Sequence, residues 1–202
     1  MGRVMFLKKN TTFLIFLVIF FSSITKVYSI EPDIFVQSTV NRASQALNNK
    51  FSKEEKINKL KSIAKETVDI KGIGFYTLGA YRKQMNADQL KTYATLFEQY
   101  FLKSFSSRLA EYSNPEIEVI SKEKLSETYT MVSSKLVATD QRPEVKIDWR
   151  IYTKNPENPL IRDLIIEGLS LARTQKEEFS SIIQSNNGDI NALFSSLKEF
   201  VK

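Results

Sequence analysis

The feature that most constrains this chain is a double change of hydrophobic period. Up to Asn114-Pro115, apolar residues recur every third or fourth position. From there to Gly168 they alternate, and beyond Gly168 helical spacing returns. A chain patterned this way builds helices, then strands, then helices, and segregated elements of that kind make an α+β domain. The clearest strand covers 144–153. Val145, Ile147, Trp149 and Ile151 alternate there with Lys146, Asp148, Arg150 and Tyr152, so one face meets an interior and the other is polar, as in an antiparallel sheet. Further strands are expected over 116–121, 128–139 and 160–168, with turns at 139–143 and 155–159, where Pro and Asn cluster.

The helical stretches carry their own start signals. A first helix is expected over 33–48, with Ile34, Phe35, Val40 and Leu47 in a loose apolar pattern. Ser52 and Glu55 form a capping box for a second, which runs to about Asp69 with Ile57, Leu60, Ile63, Ala64 and Val68 on one face. Over 69–85, Gly72, Gly74 and Gly79 each weaken a helix by ~1 kcal/mol relative to Ala. That stretch reads as a short or broken helix, packed closely enough to need small residues. Asn86 and Gln89 repeat the capping pattern and start a long helix to about Glu111. Its stripe is Leu90, Tyr93, Ala94, Phe97, Tyr100, Phe101, Phe105 and Leu109. After Gly168, Ser170 caps a helix to about Gln184 that buries Leu171, Phe179, Ile182 and Ile183. Asn187-Gly188 breaks the chain, and Asp189 caps a last helix with Ile190, Leu193, Phe194, Leu197, Phe200 and Val201 on one side.

The expected architecture is therefore α+β: N-terminal helices, a curved four-stranded antiparallel sheet, two C-terminal helices, and an apolar pocket between sheet and helices. A twisted sheet with helices against one face forms a half-cone whose mouth is a natural pocket. Pocket positions are expected on the inward strand face, at Val132, Leu136, Ile147, Trp149, Ile151, Leu164 and Ile166. On the helices they are expected at Phe75, Phe97 and Phe101. Core packing and pocket lining both demand apolar side chains, so the residues alone leave both roles open.

Residues 1–29 read as a secretory signal peptide. Arg3, Lys8 and Lys9 precede an apolar run from Phe13 to Phe21, and Val27 and Ser29 sit at the −3 and −1 positions of a cleavage site. The apolar run is shorter than the ~20 residues of a membrane span. The remaining 30–202 are expected to form one domain. The formal charge of +6 over the whole chain is misleading. Four of the 29 basic residues and none of the 23 acidic ones lie in the leader, which leaves 25 against 23, or +2. Such a balance points away from nucleic acid as a partner. With no Cys, both lipidation at a cysteine and disulfides are excluded.

There is also no His, which removes the usual general base and the commonest zinc ligand. No phosphate-binding glycine loop is present. No catalytic residue, metal or cofactor is expected. Asp148, Asp163 and Glu167 could pair as acid and base, but ion pairing with Arg150, Arg162 or another basic neighbour is the simpler role.

Order and spacing near the end carry a family resemblance. Asp163, an apolar run, Glu167, Gly168, Ser170, Leu171, then Phe179 and a short amphipathic last helix resemble the C-terminal signature of the MlaC, or toluene-tolerance auxiliary, family. Asp69, Leu78, Gly79, Tyr81, Gln89, Phe97, Tyr100, Leu109 and Tyr112 are similar to its middle section. Arg82 stands where the family has Trp. Asn158-Pro159-Leu160 stands in place of its Gly-Gly-Trp-Lys hairpin, and Arg162 in place of a Tyr. The resemblance implies a non-enzymatic periplasmic carrier of phospholipid, holding its acyl chains. Its implied partners are an inner-membrane ABC transporter complex with an MCE-domain subunit and an outer-membrane lipoprotein–porin complex. Two other readings remain: a periplasmic interaction protein or chaperone without ligand, which would expose an apolar surface, and a small-molecule enzyme on a cone-shaped scaffold. The enzyme would need Asp148 or Asp163 buried opposite Tyr129 or Tyr152.

Overall fold

The structure, a computed structural model, describes residues 29–202. All of the expected leader except Ser29 therefore lies outside the described residues. Helix α1 (Pro32–Ala46) is followed by α2 (Lys53–Thr67), α3 (Ile70–Thr77), a 3-10 turn (Gly79–Gln84) and the long α4 (Ala87–Leu109). Both expected capping boxes form, at Ser52/Glu55 and Asn86/Gln89. The glycine-rich stretch is the broken helix its composition predicts. Gly74 shows why a small residue is needed: a Cβ there would come within 2.7 Å of the Phe97 ring.

Strands β1 (Ile117–Ser126), β2 (Tyr129–Leu136), β3 (Val145–Tyr152) and β4 (Leu160–Ile166) form an antiparallel sheet in chain order. A fifth strand, β5 (Leu169–Ser170), was not expected. It exists because Glu167 and Gly168 both take positive φ, 48° and 82°, which folds the chain back on β4 through a two-residue turn. Helices α5 (Leu171–Ser185) and α6 (Ile190–Val201) complete the chain. Strand β1 runs further than its alternation shows, because it bulges between Val119 and Ser121 and again between Lys124 and Ser126. Part of its edge is covered by a side chain: the Gln37 amide donates to the Ile117 carbonyl (3.3 Å) and accepts from the Val119 N–H (3.2 Å).

The inner sheet face carries Val132, Leu136, Ile147, Trp149 and Ile151, all buried, packed against α3, α4, α5 and α6 in one cluster. Its helical side holds Tyr93, Phe97, Phe179, Leu193 and Leu197. A smaller cluster of Leu47, Leu60 and Ala110 joins α1, α2 and the end of α4. Three residues of the expected apolar faces fall outside. Ile34 is 64%, Leu171 42% and Phe200 44% exposed. Leu171 is the first residue of α5, and it is Ala172 that turns inward.

Candidate functional site

The site is best built from the β4 bulge. Register shifts between Arg150 and Ile151, so Arg162 is an extra residue on β4. Freed from the ladder, its side chain swings across the sheet end. Its Nε lies 2.7 Å and one terminal nitrogen 2.6 Å from Asp69 Oδ2. The other terminal nitrogen donates to the Tyr129 hydroxyl at 2.6 Å, and the guanidinium lies 3.7 Å above the Tyr152 ring. Burial works against the Arg162 charge, but the bonds to Tyr129 and Asp69 outweigh it and hold its pKa above the ordinary value. Asp69 also caps α3 by accepting from the Gly72 N–H at 2.9 Å. One carboxylate thus ties the α2–α3 junction to the sheet.

Beside this knot is a half-open cavity of about 430 Å³ between α3, the β1–β2 hairpin, the outer faces of β3 and β4, and the start of α5. Ile73 and Ala172 form its apolar floor, Tyr76 and Leu125 are exposed in its wall, and Arg150, Arg162, Asp163 and Tyr129 supply polar groups. Asp163 is only 4% exposed. Its expected arginine partners do not reach it; instead it accepts from the Ser170 hydroxyl (2.6 Å) and the Ala172 N–H (3.0 Å). The reason is the β4–β5 turn, which delivers the N-terminus of α5 to this carboxylate. Glu167 likewise accepts from the Lys146 N–H across the sheet. Asp148 accepts from Ser133 at 2.6 Å and pairs with Lys146 at 3.1 Å. A second, more open cavity of about 530 Å³ between α1 and β1 is lined mostly by polar groups such as Gln37, Asn41 and Glu118. Among the described residues there is no cluster of three or more potential metal ligands.

The ten expected pocket residues line neither cavity. Phe97, Val132, Leu136, Ile147, Trp149 and Ile151 are buried members of the main cluster, and Phe75, Phe101 and Leu164 pack against it half-buried. Ile166 is half-buried opposite Ile147 but outside that cluster. Nine of the ten are thus brought together in one apolar interior. Trp149 is fixed there by its indole N–H donating to Ser134 Oγ at 2.8 Å. From the sequence, the cavity-lining Arg150 and Arg162 read as partners for carboxylates, and Arg162 also as a departure from the family's Tyr. Arg150 is legible as a polar-face residue of β3; Arg162 depends on a bulge that alternation does not show.

The model of one protein family, the MlaC protein, matches residues 37–199, most of the chain. The chain belongs to the MlaC family. Among solved structures, a phospholipid-binding protein from Ralstonia solanacearum, in complex with a phospholipid, superposes with a TM-score of 0.71 at 19% identity. The match covers 85% of this chain and 97% of that one. At that identity the likeness shows a shared fold. The MlaC fold therefore accommodates the departures from the family pattern, Arg82 and Arg162 among them. Arg82 lies over the Phe75 ring at 4.5 Å, and Arg162 stacks on Tyr152.

Proposed function

We propose that this MlaC-family chain is a periplasmic phospholipid carrier. It shields acyl chains between sheet and helices while they cross an aqueous space. The family match is the observation that carries this reading, and the phospholipid held by the structurally similar Ralstonia protein supports it. The physics requires such shielding: each bare CH₂ costs ~0.8 kcal/mol in water, so a 16-carbon chain costs on the order of 12 kcal/mol. The apolar cluster supplies the shield, with Phe75, Phe97, Phe101, Val132, Leu136, Ile147, Trp149, Ile151 and Leu164, and Ile166 beside them, as tail contacts. Loading, in this reading, parts α3 and α5 beside Ile73 and Ala172, which carry the apolar cluster to the cavity floor. Of the two, the short, glycine-bearing α3 has the lower helix propensity. In this reading residues 1–29 direct export and 30–202 form the carrier. It exchanges lipid with an inner-membrane MCE-domain ABC transporter and an outer-membrane lipoprotein–porin complex, and no covalent step is needed.

Two observations favour other readings. The aromatic packing around Phe97 suits a ligand-free interaction protein, although exposed apolar residues such as Ile34, Ile120 and Leu169 are dispersed over α1, β1 and β5. Asp163 and Tyr129 share the cavity, as an acid–base enzyme would require. Both Asp163 oxygens are taken up by Ser170 and Ala172, however, and Tyr129 by Arg162. One experiment separates carrier from interaction protein: organic extraction of the purified chain with mass spectrometry, followed by uptake from labelled vesicles. Co-purified phospholipid that Leu164→Gln abolishes, with the fold intact by circular dichroism, is the expected result. A chain that yields no lipid and takes none up would overturn the carrier reading.

A further inference from the structure

Arg150 is the cation in the cavity wall that nothing in the fold uses. It lies on the outer face of β3, exposed, in register with Asp163. Among the described residues its guanidinium makes no hydrogen bond or ion pair. Asp163 does not neutralise it by contact, because that carboxylate is turned to Ser170 and Ala172. Its neighbour Arg162 is the opposite case, locked by Asp69, Tyr129 and the Tyr152 ring. The wall thus combines one immobilised guanidinium with one free one. The floor below them, Ile73 and Ala172, belongs to the main apolar cluster. A ligand that satisfies all of these has an anionic group at the rim and a hydrocarbon body directed inward.

Resting on the carrier reading, we propose that Arg150 holds the phosphodiester of the bound phospholipid and so sets which end of the lipid enters the core. A guanidinium matches a phosphate through two parallel N–H donors, which gives orientation as well as attraction. The contact is to the phosphate alone, so ethanolamine and glycerol headgroups are held equally. A neutral diacylglycerol with the same tails lacks the group Arg150 recognises.

The test is uptake by the purified chain from vesicles containing labelled phosphatidylethanolamine, phosphatidylglycerol or diacylglycerol of identical acyl composition. Wild type is expected to load both phospholipids well and diacylglycerol poorly. Arg150→Gln is expected to lower phospholipid loading roughly tenfold, the scale of one charge-assisted hydrogen-bonded contact, and to leave diacylglycerol unchanged. Arg150→Lys is expected to recover part of the loss. If Arg150→Gln loads phospholipid like wild type, or loses all three lipids alike, the proposal is overturned and the carrier reading stands. If wild type takes up no lipid, both fall, and glycerol phosphate that binds without lipid uptake would identify a free phosphate as the ligand instead. Should Arg150→Gln not fold, wild type decides alone: equal uptake of diacylglycerol and phospholipid overturns the proposal.

Discussion

Two residues show how buried polar groups steer this fold. Tyr93 is fully buried, with its hydroxyl 2.7 Å from Thr77 Oγ1. Burial pushes its pKa well above the ordinary value of 10.0, with a smaller opposing effect from the Thr77 bond. A raised folded-state pKa means that the unfolded chain releases its proton first. The stability from neutral Tyr93 is therefore fully present below about pH 10 and falls as pH rises above it. Burial raises Tyr100 in the same sense. Denaturant midpoints measured across this range should decline for wild type and decline less steeply for Tyr93→Phe, which should itself be about 1 kcal/mol less stable at pH 7. Asp163 is the second case. Asp163→Ala would strand the Ser170 hydroxyl and the Ala172 N–H at the start of α5, at an expected cost of about 2–3 kcal/mol in urea unfolding. That Asp163 is polar and on a strand was legible in the sequence. Its partner was not, because the β4–β5 turn brings α5 to it, and only folding closes that distance.

Among the elements, α3 and α4 approach closely where Gly74 meets the Phe97 ring. Gly74→Ala sets two effects against each other. Ala raises helix propensity by about 1 kcal/mol, but its Cβ would meet the Phe97 ring at 2.7 to 3.2 Å. Phe97 is 2% exposed and surrounded by Tyr93, Tyr100, Phe101 and Phe179. It has nowhere to move, so overpacking at about 1–3 kcal/mol should win. A melting temperature below wild type checks this, and an increase would show that α3 shifts easily. The boundaries of α2, α4 and β3 were readable to within two residues, because each carries a cap or a clean period. The far half of β1 was not. Lys122, Glu123 and Lys124 are exposed there, so no alternation marks it, and only pairing with β2 makes it a strand.

For the whole molecule, the core is continuous from the inner sheet face to α6, and the carrier reading requires it to open. A ligand that binds only the folded state stabilises it, by about 2.7 kcal/mol at a hundredfold excess over Kd. Lipid-loaded protein should therefore melt several degrees above the same chain stripped of lipid in detergent. Identical melting curves, with loading verified by extraction, would argue against acyl chains entering the core.

The order of periods, the caps and the absence of His and Cys were enough to determine an α+β chain of helices, sheet and helices without the usual catalytic groups. They also carried the family likeness. These are local properties, set by which face of each helix or strand avoids water. The tertiary structure alone decided that Arg162 is locked while Arg150 makes no hydrogen bond or ion pair among the described residues, and that a charged cavity adjoins the apolar core. Those facts depend on a bulge, a two-residue turn and a contact between residues 93 positions apart, which no local pattern encodes.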